Sequence, residues 1–135
     1  SGTVVACDIA LRRGDVMVFR ERMAGLLAQH APGLVPHDFG HISDGGLHYN
    51  LVWPRTGGTP DPALLDKART LIFDTVVGEF GGSFSAEHGV GPRNIASYRR
   101  FVPGAVRRLA GEIQNIMAPV SIGRVDFGTT GEGTE

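Results

Sequence analysis

Apolar and polar positions along the chain recur with two periods, one near two residues and one near 3.6 residues. The shorter period is typical of half-buried strands, and the longer period is typical of amphipathic helices. The first pattern predicts strands over residues 3–9, 34–42, 46–53 and 83–86. The second predicts helices over residues 15–30 and 61–80. In the third strand, the side chains predicted to face the core are Leu47, Tyr49, Leu51 and Trp53.

The order of these elements is strand, helix, strand, strand, helix, strand, which predicts a ferredoxin-like α+β fold. Two further helices are predicted over residues 92–101 and 103–117. Such a fold carries its helices on one face of an antiparallel sheet, usually with strand order 4-1-3-2, and leaves the other face for solvent or a partner domain. We expect one domain over residues 1–126 and a disordered tail over residues 127–135, where apolar residues are almost absent.

Composition and charge narrow the function classes. The 135 residues carry a net charge of −1, so charge gives no argument for binding nucleic acid or an anionic membrane surface. No apolar run approaches the roughly 20 residues that a membrane-spanning helix needs. Cys7 is the only cysteine, which excludes an internal disulfide and fits a reducing compartment. A cytoplasmic location is therefore expected.

Two histidines flank the turn of the predicted hairpin. An Asp-Gly pair between alternating runs indicates a two-residue type I′ turn, and Asp44 and Gly45 form such a pair. This turn would set His41 directly opposite His48, with Cβ atoms roughly 4.5–5.5 Å apart. Asn50 would lie on the same face, two residues beyond His48. Two imidazoles at this separation can hold one metal ion, and the alternative is an exposed cross-strand histidine pair.

A glycine-rich segment follows the last predicted strand. It reads GGSFSAEHGVGP over residues 81–92 and carries Glu87 and His88 near its centre. Adjacent residues of a strand point to opposite faces, so only one of the two would normally reach a given site. The expected strand order also separates Glu87 from His48, and the loop after Ala86 must cross the first strand to bring them together. In the alternative, Glu87 and His88 solvate a surface loop.

Together, these two segments resemble the C-terminal domain of the FAD-linked oxidase family. That family carries the pattern GHxGDGNLHxN followed by GGxxSAEHGxG, and this chain reads GHISDGGLHYN and GGSFSAEHGVG. The family includes flavin-dependent D-lactate and D-2-hydroxyglutarate dehydrogenases and glycolate oxidase subunits. The resemblance extends from about Val5 to about Met117. Ser43 and Gly46 replace a glycine and an asparagine of the family turn.

The resemblance implies the substrate-side domain of an FAD-dependent enzyme that oxidises a small 2-hydroxy acid. The divalent metal ligands that it implies, for zinc or manganese, are His41, His48 and Glu87. By the same resemblance His88 would accept the hydroxyl proton, a role that suits imidazole because it titrates near neutral pH. Asn50 and Arg93 would bind the substrate.

FAD itself is implied to be bound mainly by an N-terminal domain of the natural protein, which would be a partner of this chain. No segment here offers a dinucleotide fingerprint, so the isolated chain is expected to hold no FAD tightly and to be inactive. The sequence is compatible with a homo-oligomer and does not decide the oligomeric state. The alternative function is a non-enzymatic ferredoxin-like module that binds metal or dimerises through the sheet face without helices. The presence of an upstream flavin domain would distinguish the two functions.

Overall fold

The computed structural model describes residues 2–118 and 125–127. The chain divides into two compact units, with the boundary between Glu87 and His88. The elements of the first unit are β1 (Thr3–Val5), β2 (Asp8–Ala10), α1 (Val16–His30), β3 (Val35–Phe39), β4 (Gly46–Trp53) and α2 (Pro62–Asp74). Those of the second are α3 (Ile95–Phe101) and α4 (Gly104–Met117). No helix in these described stretches is long and apolar enough to cross a membrane.

Strand β4 is the centre of a small antiparallel sheet. Strands β1 and β2 pair along one side of it, and β3 pairs along the other. Ser83 adds one antiparallel bridge to Ala10 of β2. The order therefore runs from the Ser83 segment through β2 and β4 to β3, which is the 4-1-3-2 order expected of the fold. The predicted α+β class is confirmed.

The predicted first strand is divided into β1 and β2 by a short break. Val5 pairs with Leu51 and Asp8 pairs with His48, so both pieces keep one register against β4. Because the register is continuous, side chains alternate in phase through the break. Asp8 and His48 therefore share one face of the sheet.

The core of the first unit lies between helices α1 and α2 and one face of the sheet. Strand β4 alternates as predicted from Leu47 to Leu51, since Leu47, Tyr49 and Leu51 are buried while His48 is partly exposed. Trp53, also predicted to face the core, is only partly buried, because it lies at the end of the strand. Phe19 of α1 packs edge-on against the Tyr49 ring, with ring centroids 5.2 Å apart. The buried helical side chains are Val16, Phe19, Met23 and Leu27 in α1 and Ala68, Ile72 and Phe73 in α2. The opposite face of the sheet, which carries Asp8, His48 and Asn50, is called the His48 face below.

Cys7 belongs to this core. Its side chain is buried, and burial raises the pKa of the thiol to about 11. The thiolate is the reactive form of cysteine, so a thiol that stays protonated at neutral pH behaves as a small apolar side chain.

Helix α2 begins with a side-chain cap. Asp61 Oδ1 accepts a hydrogen bond from the N–H of Ala63 at 2.9 Å, and Pro62 occupies the first helical position. We expect Asp61→Ala to lower the free energy of unfolding by about 1 kcal/mol, because an N–H of the first turn loses its acceptor. Urea denaturation measures the change. Asp66→Ala, at an exposed aspartate of the same helix, is the control, and equal losses in the two variants would contradict the capping role.

Helix α2 is shorter than the helix predicted over residues 61–80. It ends at Asp74, and the chain continues as a π-helical turn over Thr75–Glu79. The Thr75 hydroxyl donates a hydrogen bond to the Leu71 carbonyl at 2.8 Å. Side-chain bonds of this kind compete with the regular helical ladder, which accounts for the change of helix type at this point.

The strand predicted over residues 83–86 is wrong in length, because within it only Ser83 forms a bridge to the sheet. Its N–H donates to the Ala10 carbonyl at 2.8 Å, and its carbonyl accepts from the Ala10 N–H at 3.0 Å. The Ser83 hydroxyl then donates to the Ser85 carbonyl at 2.7 Å. This local bond turns the backbone away from the extended conformation, so the ladder stops after one bridge.

The hairpin register differs from the prediction by two residues. Phe39, and not His41, lies opposite His48. The N–H groups of Asp44 and Gly45 both donate to the His41 carbonyl at 3.1 Å and close a helical turn. A type I′ turn needs positive φ at both central residues, and of these two only Gly45 has it, with φ of 87°. His41 therefore lies in the loop, and the predicted cross-strand pairing of the two histidines is wrong.

The second unit contains the two predicted C-terminal helices, with a break at Pro103. Within this unit the Gln114 side chain hydrogen bonds to both the N–H and the carbonyl of Val125, at 2.7 and 2.8 Å. The Tyr98 and Phe127 rings lie 6.0 Å apart. Apart from Phe127, the predicted disordered tail over residues 127–135 lies outside the described residues.

Candidate functional site

The His48 face carries a cavity of about 210 Å³. Carboxylates and imidazoles line it together with small residues, and the lining consists of Asp8, Ala10, His41, Asp44, Gly46, His48, Ala86 and Glu87. All three residues that the sequence resemblance implies as metal ligands belong to this set. The cavity therefore brings together strand β2, the hairpin and the segment that ends at Glu87.

His48 projects from β4 into this cavity with a carboxylate near each ring nitrogen. Its Nε2 lies 3.3 Å from Oε1 of Glu87, and its Nδ1 lies 3.5 Å from Oδ1 of Asp8. The Phe39 ring, opposite in the hairpin, lies 5.0 Å from the imidazole between ring centroids. The His48 side chain is 23% exposed, so the ring is enclosed by neighbours and still reachable from the cavity.

Asp8 brings Glu87 to the cavity. Its Oδ2 accepts hydrogen bonds from the N–H groups of Ala86 at 3.2 Å and of Glu87 at 2.8 Å. Asp8 also lies directly opposite His48 in the sheet. The segment beyond Ser83 therefore crosses the first strand at Asp8. The separation of Glu87 from His48 that the strand order imposes is overcome in this way.

His41 reaches the same cavity from the hairpin loop, and its side chain is exposed. The loop is fixed against strand β2 by a hydrogen bond of 3.0 Å from the Leu11 N–H to the Gly45 carbonyl. Asp44 Oδ1 also accepts a hydrogen bond of 3.4 Å from the Gly46 N–H. His41 is therefore positioned by the loop and not by the register of the strands.

The other residues implied by the resemblance do not line this cavity. Asn50 lies on the His48 face, opposite His37. His88 and Arg93 belong to the second unit, where both side chains are exposed, and Arg93 stands in the turn before α3. Their roles as proton acceptor and substrate-binding residues stay predictions from the resemblance.

Sequence reasoning missed Asp8 and Phe39. Asp8 stands in an apolar run, and its side chain is only 6% exposed. Burying a carboxylate is unfavourable unless it is hydrogen bonded, so an acid in such a strand is a signal that a specific partner exists. Phe39 could not be recognised in the same way, because its place opposite His48 follows only from the hairpin register.

The donor groups around the cavity suit a divalent cation. Three carboxylates and two imidazoles line it, and this mixture of oxygen and nitrogen donors fits zinc or manganese. Two zinc ligands at about 2.0–2.1 Å from the metal lie roughly 3.3 Å apart in a tetrahedral site. The 3.3 Å between His48 Nε2 and Glu87 Oε1 agrees with that separation. The residues present therefore fit a divalent metal.

The chain matches a known protein family over most of its length. The family model of the C-terminal domain of FAD linked oxidases matches residues 1–119. The D-2-hydroxyglutarate dehydrogenase of Stutzerimonas stutzeri (strain A1501) is 35% identical over 98 residues, which are 69% of this chain and 20% of that protein.

Two further relatives carry similar names. The D-2-hydroxyglutarate dehydrogenase of Xanthomonas citri pv. viticola is 32% identical over 84 residues, or 62% of this chain and 18% of that protein. The mitochondrial D-2-hydroxyglutarate dehydrogenase of Danio rerio is 30% identical over 110 residues, or 80% of this chain and 18% of that protein. The chain thus spans about a fifth of the length of these curated relatives. Since the family match includes both motifs and the whole first unit, the chain belongs to the family of FAD-linked oxidase C-terminal domains.

Proposed function

We propose that this chain is the substrate-side domain of an FAD-dependent oxidoreductase that oxidises a small 2-hydroxy acid to the 2-oxo acid. Family membership supports the reaction class, and the names of the relatives support a substrate such as D-2-hydroxyglutarate. The observation that carries the proposal is that His41, His48 and Glu87 all line the same cavity. FAD, held mainly by an N-terminal partner domain, supplies the hydride acceptor when bound.

His41, His48 and Glu87 hold a divalent metal in this proposal. His48 offers the Nε2 atom that already faces the Glu87 carboxylate at 3.3 Å. Glu87 contributes a negative charge and His41 contributes a second imidazole nitrogen. These three residues would hold the ion, which would supply a positive charge for the substrate hydroxyl and carboxylate.

Oxidation removes a hydride from the carbinol carbon and a proton from the hydroxyl. His88 accepts that proton, because imidazole is suited to general base catalysis near neutral pH. The guanidinium of Arg93 offers a fork of N–H donors that matches a carboxylate. Asn50 donates a further hydrogen bond to the substrate through its side-chain amide. Each of these two groups would bind a polar group of the acid.

Metal removal tests this function. The flavin-loaded protein here means the natural protein in which this chain is joined to its FAD-binding domain. We expect chelation to lower its rate of 2-hydroxyglutarate oxidation at least about tenfold, because the charge on the substrate oxygen loses its stabilisation. Reduction of a dye acceptor gives the rate, with D-lactate and glycolate as comparison substrates. Zinc or manganese should restore it.

Two results would contradict the proposal at different points. Full activity in chelator-treated protein, with its metal content shown to be negligible, would contradict the metal role alone. No oxidation of any of the three acids by the flavin-loaded protein would contradict the reaction class and favour a non-enzymatic module.

A further inference from the structure

Asp8 is a buried acid in the wall of the cavity. Its side chain is 6% exposed, and it lies in a largely apolar strand directly opposite His48. A buried carboxylate destabilises the fold unless hydrogen bonds or charges compensate it. The partners of Asp8 therefore define what this residue does.

One oxygen of Asp8 fixes the backbone at Glu87. Oδ2 accepts a hydrogen bond from the Glu87 N–H at 2.8 Å and a longer one from the Ala86 N–H at 3.2 Å. Hydrogen bonds from backbone N–H groups to an ionised carboxylate are stronger than those between neutral groups. Ser83 is the last residue before Glu87 to form a bridge to the sheet, and the Ala86 N–H also donates to the backbone carbonyl of Asp8 at 3.1 Å. The side chain of Asp8 adds the bond at Glu87 itself. Asp8 therefore sets where the Glu87 backbone lies.

The other oxygen of Asp8 faces the imidazole of His48. Oδ1 lies 3.5 Å from Nδ1, while Nε2 on the far side of the ring lies 3.3 Å from Oε1 of Glu87. A carboxylate lies beside each nitrogen, but the Asp8 side chain is 6% exposed and the Glu87 side chain is 59% exposed. Because a hydrogen bond is stronger where water is excluded, Asp8 favours the tautomer that carries its proton on Nδ1. That tautomer leaves the lone pair on Nε2, which points into the cavity.

We propose that Asp8 is a positioning residue that sets both the Glu87 backbone and the tautomer of His48. The Asp8 carboxylate thereby orients two metal-binding groups, the imidazole of His48 and the carboxylate of Glu87, towards one ion. This inference deepens the proposed function and rests on it, because the two donors are prepared for the metal assigned there. Asp8 itself acts only through Glu87 and His48.

The test compares zinc affinity in the flavin-loaded protein and two variants. Asp8→Asn keeps the size of the side chain and removes its charge, so we expect the zinc dissociation constant to rise about 10–100-fold. Asp38→Asn is the matched control, since Asp38 is a partly buried aspartate of the same sheet that pairs with Arg20 and does not line the cavity. Competition with a chromophoric chelator measures the constants, and thermal melting shows that each variant is folded.

A second readout does not depend on any variant. A long-range ¹H–¹⁵N spectrum of the unmodified metal-free protein, at a pH where the imidazole is neutral, reports which nitrogen of His48 carries the proton. A proton on Nδ1 supports the proposal, and a proton on Nε2 overturns it. If Asp8→Asn does not fold, this readout decides alone.

The outcomes separate this inference from the proposed function. An unchanged zinc constant in folded Asp8→Asn, with zinc binding lost in His48→Ala, would overturn the positioning role and leave the proposed function intact. An equal rise in Asp8→Asn and Asp38→Asn would also overturn it. Absence of zinc and manganese binding in the unmodified protein would overturn both the metal site and the positioning role.

Discussion

Replacing His48 with alanine should abolish metal binding in the cavity and reduce hydroxy-acid oxidation at least about 100-fold. Changing a residue that only supports a metal ligand typically costs 10–100-fold in affinity or activity, so removing a ligand should cost at least as much. His48 offers the nitrogen that faces Glu87 at 3.3 Å, and alanine offers no donor atom in its place. Elemental analysis of the purified flavin-loaded protein gives the metal content, and dye reduction gives kcat/KM.

His37→Ala is the matched control for this experiment. His37 lies on the same face of the sheet, opposite Asn50, but it is exposed and does not line the cavity. This variant should keep both its metal and its activity. If His48→Ala also keeps its metal content and its activity, the cavity is not a metal site and His48 is only a surface residue.

Replacing Gly45 with alanine should lower the free energy of unfolding by at least about 2 kcal/mol. A residue with a Cβ at left-handed φ costs roughly 1–2 kcal/mol, and Gly45 has φ of 87°. A Cβ there would also collide with the carbonyl oxygen of Leu11. The backbone cannot simply move apart, because the Leu11 N–H donates to the Gly45 carbonyl at 3.0 Å. Urea denaturation measures the loss.

Gly81→Ala separates the two causes of that loss. Gly81 also has positive φ, at 59°, but a Cβ there would meet open space. We expect this variant to lose only about 1 kcal/mol from backbone strain. If both variants lose the same amount, the collision with Leu11 contributes nothing. A larger loss in Gly45→Ala supports tight packing of the hairpin loop, and with it the placement of His41.

Periodicity along the chain is enough to predict the α+β class and the inward face of β4. Leu47, Tyr49 and Leu51 are buried because alternation is a property of any extended strand that covers a core. The stripe of α1 from Val16 to Leu27 follows from helical geometry in the same way. Among the residues that line the cavity, the two motifs marked His41, His48 and Glu87 as site residues.

The hairpin register could not be predicted from the Asp-Gly pair alone. A two-residue turn would require positive φ at Asp44, and the structure instead closes a helical turn onto the His41 carbonyl. The loop is held from outside the hairpin, through the contact of Gly45 with Leu11. Local propensity does not contain such a contact. The partners of Asp8 could not be predicted for the same reason, since they lie far away along the chain.

The hydrogen bond from Glu87 to Asp8 joins residues that are 79 positions apart in sequence. Closing a loop of this length carries an entropic cost, so the contact depends on the rest of the fold to hold its two ends near each other. In the unfolded chain, His48 and Glu87 lie on separate parts of the polypeptide. A cation that needs both groups would therefore bind the folded chain in preference to the unfolded one, and its binding would stabilise the fold.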